Sequence, residues 1–415
     1  MNVNDIKPEV FTLAERVEAQ LSDKFRQIDK IAAKNTQKVM AAFQDNKVSD
    51  SCFAGTTGYG YDDLGREVLD KVYAQVFHTE AALVRIGFVN GTHALSAALF
   101  AMLKPGDTLL SVTGLPYDTL RNAIGIEGDC HGSLKFYGIN YKQVDLVNGE
   151  PDIDAIKSAL SDSSVAAVLI QRSRGYENRK ALSAEEIGEM CAAIRSVSPQ
   201  VKIMVDNCYG EFTGVHEPTE FGVDLMAGSL IKNPGGGLAP TGGYIVGKKE
   251  LVENAAMRLT TPGIGGECGA TMGNNRLLFQ GLFMAPHIVA QAVKTAVFCS
   301  AMMKELGFDS SPAPDDERND IIQMVTLNDP ENMKKFCHGI QSGAPIDSYV
   351  TPEPWQMPGY NVPVIMAAGA FVQGSSIELS ADGPMREPYT LYVQGGITYE
   401  SGKLGVMMAV NEMLS

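Results

Sequence analysis

The sequence predicts an α/β fold in which helices cover both faces of a mainly parallel sheet, with a smaller α/β domain at the C-terminus. Two observations support this prediction. Short apolar runs, such as 165–170 and 201–205, alternate with helical patterns, such as 183–196, and that alternation is typical of parallel sheets. The chain also has 415 residues, more than one domain usually holds.

Composition limits the possible partners and compartments. The formal charge of −15 argues against a nucleic acid or an anionic membrane as partner, because both attract basic surfaces. Seven scattered cysteines without CxxC spacing favour reduced cytoplasmic thiols, and neither they nor any His/Asp/Glu cluster predicts a metal site. The N-terminus lacks a basic and then apolar leader, and no apolar run approaches a membrane span. We therefore expect a cytoplasmic protein.

Three regions are expected along the chain. Residues 1–54 form an amphipathic helical arm, which either clamps a partner subunit or covers the main domain. Residues 55–285 form the large domain and 286–415 the smaller one. A long helical pattern over 270–306 joins these two domains, and we expect Pro286 to interrupt it because proline cannot donate a helical hydrogen bond.

Asp206 and Lys232 are the pair of residues around which we expect the site to be built. Each follows an apolar run, 201–205 for the acid and 225–231 for the lysine, and open α/β sheets bind ligands at the carboxyl ends of such strands. A lysine there suits a covalent bond to a carbonyl, and an acid suits the pyridine nitrogen of pyridoxal 5′-phosphate. A plain salt bridge, or two unrelated loop residues, fits the same pattern.

A phosphate site is predicted where a helix begins at Gly91-Thr92-His93. Free amides and the helix dipole favour an anion at such a start, although the same residues also form ordinary helix caps. His93 either stacks on a cofactor ring or is an ordinary, partly buried histidine. We include all three residues among the candidates for cofactor binding.

Three further residues lie in loops that follow predicted strands. Tyr117 either stacks on a cofactor ring and donates a proton, or only packs. Arg174 binds an anion or the cofactor's phenolic oxygen, or is solvated. Arg386, in the loop 383–389, is a candidate for an amino-acid carboxylate, because its fork of donors matches that group; a solvated arginine is the alternative.

A glycine- and tyrosine-rich stretch at 55–66 contains Tyr59 and Tyr61. Glycines allow close backbone approach, and tyrosine hydroxyls are good phosphate donors. A surface loop with stacked tyrosines is the alternative interpretation.

Taken in chain order, these segments resemble pyridoxal-phosphate enzymes of the aspartate-aminotransferase fold (fold type I), and among them the cystathionine-lyase and methionine-γ-lyase group. The branch labelled aluminium-resistance proteins is the most similar, from Gly55 to the C-terminus. The resemblance implies a mainly parallel seven-stranded sheet, pyridoxal phosphate as cofactor and an amino-acid substrate. It also implies a homo-oligomer, at least a dimer of active sites and in the usual form a tetramer.

The family's motifs assign roles to individual residues. Val205-Asp206-Asn207-Cys208 matches a Val-Asp-Asn-Thr segment, and Ser229-Leu230-Ile231-Lys232 matches Ser-x-Thr-Lys, so that Ser229 binds phosphate and Lys232 the cofactor. Gly91, with Thr92, matches the phosphate-binding glycine, Tyr117 the ring-stacking tyrosine, and Tyr59 a tyrosine that reaches the neighbouring subunit's phosphate.

The sequence also departs from the family at several positions. Ile231 replaces a phosphate-binding threonine and Tyr61 an arginine, so Arg66 or His93 would have to supply phosphate contacts. The family's carboxylate-binding arginine is not recognisable, and on chemical grounds we assign substrate binding to Arg386, with Tyr61.

The resemblance implies a carbon–sulfur lyase similar to methionine γ-lyase, which releases a thiol, ammonia and a 2-oxo acid by β- or γ-elimination. Lys232 would remove the Cα proton, Asp206 would keep the ring nitrogen protonated, and Tyr117 would protonate the departing sulfur. Other reactions of the same cofactor remain open, namely γ-replacement, aldol cleavage or decarboxylation, because one fold supports many chemistries. A non-catalytic protein of this fold is a further alternative.

Overall fold

The computed structural model describes residues 2–128, 130–357 and 362–415. The helices are α1 (Pro8–Gln20), α2 (Ser22–Asp45), α3 (Leu64–Val76), α4 (Gly91–Met102), α5 (Asp118–Ile124), α6 (Ile153–Ala159), α7 (Ala184–Val197), α8 (Lys249–Leu259), α9 (Asn275–Glu305), α10 (Pro330–Ser342) and α11 (Tyr399–Met413). The strands are β1 (Ala81–Arg85), β2 (Thr108–Ser111), β3 (Asn140–Gln143), β4 (Val165–Gln171), β5 (Lys202–Asp206), β6 (Leu225–Ser229), β7 (Gly243–Gly247), β8 (Asp309–Ser311), β9 (Ile322–Thr326), β10 (Val364–Ala368), β11 (Ser380–Pro384) and β12 (Thr390–Gln394).

The large domain is built on a seven-stranded sheet with the order β1-β7-β6-β5-β4-β2-β3. Strand β7 runs antiparallel to both of its neighbours, and the remaining pairs are parallel. The predicted mainly parallel seven-stranded sheet is therefore confirmed. Strands β5 and β6 are adjacent, with Asp206 opposite Ala227, so Asp206 and Ser229 end at the same edge of the sheet.

Both faces of this sheet are buried, which explains why its central strands read as unbroken apolar runs. Along β4, Val168 and Ile170 belong to one hydrophobic core, whereas Ala167 and Leu169 belong to a second core on the other face. The second core contains the apolar residues of α4 and α8. Successive side chains of a strand point to opposite faces of the sheet, so each of these strands contributes residues to both cores.

The smaller domain contains a five-stranded antiparallel sheet with the order β10-β11-β12-β9-β8. Helices α10 and α11 pack together so closely that a Cβ on Gly339 would overlap the backbone of Ala409. Strands β10 and β11 of this sheet face the carboxyl edge of the large sheet, and residues of both strands line the cavity described below.

Helix α9 joins the two domains without a break. Pro286 lies inside this 31-residue helix, so the expected interruption there was wrong. Proline removes one helical hydrogen bond, but Ala285, Pro286 and most of their neighbours along the helix are buried, and this packing holds the helix together. By length and composition α9 could span a membrane, yet 78% of its most apolar window is buried inside the protein.

The N-terminal helices α1 and α2 cover the C-terminal part of their own chain. The rings of Phe25 and Tyr399 lie 5.0 Å apart, Lys403 pairs with Glu18 at 2.5 Å, and the backbone amide of Lys7 donates to the side chain of Asn411 at 2.9 Å. Of the two roles considered for this arm, the structure shows the covering one.

Candidate active site

A cavity of about 330 Å³ lies between the carboxyl edge of the large sheet and the smaller domain. The large domain contributes the start of α4 and the loops after β2, β4, β5 and β6, and the smaller domain contributes residues 366–382 and Gln394. This is where ligands bind in open α/β sheets. The cavity brings together Gly91, Thr92, Tyr117, Asp206, Ser229 and Lys232.

Asp206 and Lys232 line the same cavity, as the sequence pattern predicts. Asp206 ends β5, is buried, and accepts a hydrogen bond from the backbone amide of Cys208 at 3.1 Å. Burial raises the pKa of Asp206, while the positive charge of Lys232 works against that rise. The Nζ atom of Lys232 lies 3.8 Å from the centroid of the Tyr209 ring, a cation–π contact that holds the lysine in the cavity.

An anion site lies beside this pair. Gly91 begins α4 so close to β6 that a Cβ at this position would lie 3.1 Å from the Cβ of Ser229. Thr92 shares a hydrogen bond of 2.7 Å with Thr119. The start of α4 and Ser229 therefore lie side by side in the cavity, at the helix end where the dipole favours negative charge.

These residues fit pyridoxal phosphate. The lysine, the buried acid and the anion site are the three parts that this cofactor needs. Across the cavity, the Oγ atom of Ser376 is buried without a hydrogen-bond partner among the described residues, and a bound ligand would satisfy it. Lys232, Asp206, Ser229 and Gly91 would hold the cofactor.

Tyr117 lies in the loop after β2, at the start of α5. Its backbone amide donates to the side chain of Gln171 at 2.8 Å, and its ring centroid lies 6.1 Å from that of Tyr176. Both tyrosines line the cavity. Tyr117 is thus in a position to contact a ligand in the cavity.

Arg174 and His93 lie away from this cavity. The guanidinium of Arg174 donates to the backbone and side-chain oxygens of Ser311, so it ties the large domain to β8. The Nδ1 atom of His93 accepts from the amide of Val89 at 3.3 Å, and its ring packs edge-on against Phe88. Neither residue lines the cavity, and we leave both out of the proposed cofactor site.

Arg386 also stands outside the cavity of Lys232. It lines a neighbouring cavity of about 300 Å³, which shares Tyr117, Gln171 and Tyr176 with the first. Arg386 therefore lies beside the lysine cavity and not in its lining.

Tyr59 and Tyr61 lie on the surface, where their side chains are 74% and 56% exposed and stack at 5.6 Å. Neither lines the cavity of its own chain. Arg66, considered above as a phosphate ligand, instead donates to the backbone carbonyls of Gly60, Gly269 and Glu267. It fixes the tyrosine loop from within.

Asp382 is a cavity residue that sequence reasoning missed. Its carboxylate accepts hydrogen bonds from the Tyr176 hydroxyl and, at 2.8 Å, from the side-chain amide of Gln394. Burial raises the pKa of Asp382 to about 7. The strand that carries it, Ser380–Pro384, has too few apolar residues to be recognised, so local sequence offered no signal for this residue.

The glycine run after Lys232 packs against α9. Gly236 has a left-handed backbone (φ 54°), and a Cβ there would overlap the carbonyl oxygen of Gly281. The side chain of Asn233 donates to the carbonyl of Glu211 at 3.0 Å. The lysine is thus followed by a loop that two tight contacts hold in place.

Fold and site together define a pyridoxal-phosphate-type enzyme of fold type I. The family model named methionine gamma-lyase matches residues 10–414, and the chain belongs to that family. This confirms the resemblance to the group found from the sequence.

Relatives of this chain cover nearly its whole length. The uncharacterized protein YnbB of Bacillus subtilis is 49% identical over 97% of this chain and 96% of its own. The crystal structure of a carbon-sulfur lyase involved in aluminum resistance from Clostridium novyi is 51% identical, covers 98% of this chain and 96% of its own, and has a TM-score of 0.94. A Clostridium acetobutylicum protein, also described as involved in aluminum resistance, is 51% identical over 99% of this chain and 97% of its own, with a TM-score of 0.96.

Proposed function

We propose that the protein is a pyridoxal-phosphate-dependent carbon–sulfur lyase, which eliminates a thiol from a sulfur-containing amino acid and releases ammonia and a 2-oxo acid. The observation that carries this proposal is the placement of Lys232 and Asp206 in one cavity, next to the anion site at Gly91 and Ser229. Membership of the methionine gamma-lyase family supports the cofactor and the class of reaction.

The cavity residues divide the work of such a reaction. When bound, pyridoxal phosphate supplies an electron sink for the electrons left at Cα. Lys232 removes the Cα proton, and Asp206, held by the amide of Cys208, keeps a proton on the ring nitrogen. Tyr117 donates its hydroxyl proton to the departing sulfur. The polar groups of Ser375, Ser376 and Gln394 close the opposite wall.

We further propose a cytoplasmic homo-oligomer in which Tyr59 reaches the site of a neighbouring subunit. The exposure of Tyr59 and its absence from the lining of its own chain's cavity support this arrangement. All seven cysteines are free thiols, in agreement with a reducing compartment.

Replacing Lys232 tests the proposed chemistry. The purified protein should show the visible absorbance of a lysine-bound cofactor and should release a thiol and a 2-oxo acid from at least one of methionine, cystathionine and cysteine. Lys232→Ala should abolish both signals, because no other described lysine lines the cavity.

Lys249→Ala is the matched control, since the side chain of Lys249 is 71% exposed on α8, and it should retain both signals. If the wild-type protein lacked the absorbance band, the cofactor assignment would be wrong. A band without product from any of the three amino acids would reject the lyase reaction alone.

A further inference from the structure

The proposed reaction needs a base that takes a proton from the amino group of the substrate. An amino acid enters with this group protonated at neutral pH, and a protonated amine has no lone pair with which to attack a carbonyl-type carbon. It must therefore lose a proton before it can take the place of Lys232. Among the described residues, the carboxyl groups that line the lysine cavity are those of Asp206 and Asp382, and Asp206 already serves the ring nitrogen.

Asp382 lies on a face of the smaller sheet that is turned towards the cavity. Strand β11 places Ser380 and Asp382 on one face, because side chains alternate along a strand, and both residues line the cavity. On the neighbouring strands, Met366 lies opposite Asp382 and Gln394 lies opposite Ser380, and these two residues line the cavity as well. Of these four side chains, only that of Asp382 is ionisable.

Two hydrogen bonds hold the carboxyl group of Asp382 in the cavity wall. The hydroxyl of Tyr176 donates to its Oδ2 atom, and the side-chain amide of Gln394 donates to its Oδ1 atom at 2.8 Å. A carboxylate has about four lone-pair sites, so these two bonds leave room for a proton. Asp382 is therefore fixed in orientation and still able to accept a proton from a ligand.

The surroundings of Asp382 give it the proton affinity that a base needs at neutral pH. Burial raises its pKa to about 7, although the hydrogen bond from Gln394 lowers it in part. A base is most effective when its pKa is close to the pH at which it works. At neutral pH, Asp382 can therefore both accept a proton and release it again.

The titratable neighbours of Asp382 come from every element packed around it. They are Tyr176 in the loop after β4, Tyr392 on β12, Cys337 on α10 behind the strand, and Lys232 and Asp206 across the cavity. Burial raises the pKa of Tyr392 to about 12 and also raises that of Cys337. Both side chains thus stay uncharged in the pH range in which Asp382 titrates.

We propose that Asp382 is a catalytic base, which takes a proton from the ammonium group of the incoming amino acid. This inference rests on the proposed function and deepens it. An N–H bond of the ammonium breaks and its electron pair stays on the nitrogen, while the proton forms an O–H bond with the carboxylate of Asp382. Because Asp382 is then neutral, the carboxylate of the substrate meets no negative charge from it. Asp382 returns the proton to solvent before the next turnover.

The pH dependence of kcat/KM tests this assignment with whichever of methionine, cystathionine and cysteine is cleaved fastest. For the wild type, kcat/KM should rise as the pH rises through about 7 and then level off. Asp382→Asn should lose about 100-fold or more at pH 7. Above pH 7 this loss should shrink by up to about tenfold for each pH unit, because more of the substrate amine is then already neutral.

A nucleophile that needs no base separates catalysis from mere positioning. The nitrogen of aminooxyacetate is unprotonated at neutral pH, because the adjacent oxygen withdraws electrons. L-Norleucine enters as an ammonium and has no carbon–sulfur bond to lose. The change in visible absorbance as each compound displaces Lys232 gives a rate without turnover. At pH 7, Asp382→Asn should slow L-norleucine by about 100-fold and leave the rate with aminooxyacetate unchanged.

Asp162→Asn is the control, since Asp162 pairs with Lys142 outside the cavity, and it should behave as the wild type with both compounds. Equal slowing of both compounds in Asp382→Asn would mean that Asp382 only shapes the site. No slowing of L-norleucine in this variant, or no reaction of L-norleucine with the wild type, would mean that Asp382 is not the base. Each of these results overturns the proposal. If both compounds react as expected but no thioether is cleaved, the lyase reaction fails and the base stands.

Discussion

Asp382 shows how one buried residue of the cavity links binding to pH. Its carboxyl group lies in the wall opposite Lys232 and is 3% exposed. Burial raises its pKa to about 7, although the hydrogen bond from Gln394 lowers it in part. The folded protein therefore holds this proton more tightly than the unfolded chain, in which an aspartate has a pKa of about 3.9.

This difference predicts the pH dependence of stability. A carboxyl group with a raised folded-state pKa contributes stability that is fully present below about pH 4 and is lost as the pH rises through about 7. Asparagine does not titrate, so the free energy of unfolding of the wild type minus that of Asp382→Asn should fall by up to about 4 kcal/mol over this range. Urea denaturation at a series of pH values measures this difference.

Asp162 provides a control of opposite sign. Its hydrogen bond from Lys142 lowers its pKa to about 2, so the corresponding difference for Asp162→Asn should rise with pH. A difference for Asp382→Asn that did not change with pH would contradict the burial argument.

The direction of a side chain was the property of the site that sequence could not supply. Asp206, Lys232 and Tyr117 could be placed at the sheet edge because each comes after an apolar run at its carboxyl end, whereas Ser229 was assigned only through the resemblance to the family's Ser-x-Thr-Lys segment. Arg174 follows such a run too, but its guanidinium turns to Ser311, which is far away in sequence.

At the level of elements, the loop after Lys232 and helix α9 form one close contact. Gly236→Ala should destabilise the protein by several kcal/mol, because the added Cβ would overlap the carbonyl oxygen of Gly281 and helix backbone cannot move aside. Gly307→Ala is the matched control: this glycine also has a positive φ (81°), but its Cβ would meet nothing within 4 Å, so only about 1 kcal/mol is expected. Thermal or urea unfolding measures the loss of stability in each variant. An equal loss in both variants would contradict the close contact between Gly236 and Gly281.

The elements best predicted from sequence are those whose structure depends least on packing against other elements. Ser183 caps the start of helix α7, its side chain forms a capping box with Glu186, and that signal is local. The antiparallel direction of β7 depends on pairing with β1 and β6, to which the run at 244–246 gives no clue. Pro286 was misread for the same reason, since packing along α9 overrides a local rule.

At the level of the whole molecule, the exposed Tyr59 predicts an active site shared between subunits. Subunits carrying Lys232→Ala and subunits carrying Tyr59→Ala should each be impaired when pure. If Tyr59 serves the neighbouring site, mixed dimers contain one complete site, and refolded equimolar mixtures should regain roughly a quarter of wild-type activity.

The matched control mixes Lys232→Ala with Asp206→Ala. Both residues line the cavity of their own chain, so mixed dimers contain no complete site and activity should not return. Recovery in both mixtures, or in neither, would contradict a role for Tyr59 across the interface.

The unbroken helix α9 determines how the whole molecule can open to admit a substrate. A hinge needs a few residues whose φ and ψ change greatly, and 275–305 provides none between the domains. One end of this helix contacts the lysine loop at Gly236, and farther along Thr295 lies against Gly396 and Gly402 of the smaller domain. The helix therefore connects the two domains without a flexible joint, and a hinge-type closure of one domain on the other has no pivot within 275–305.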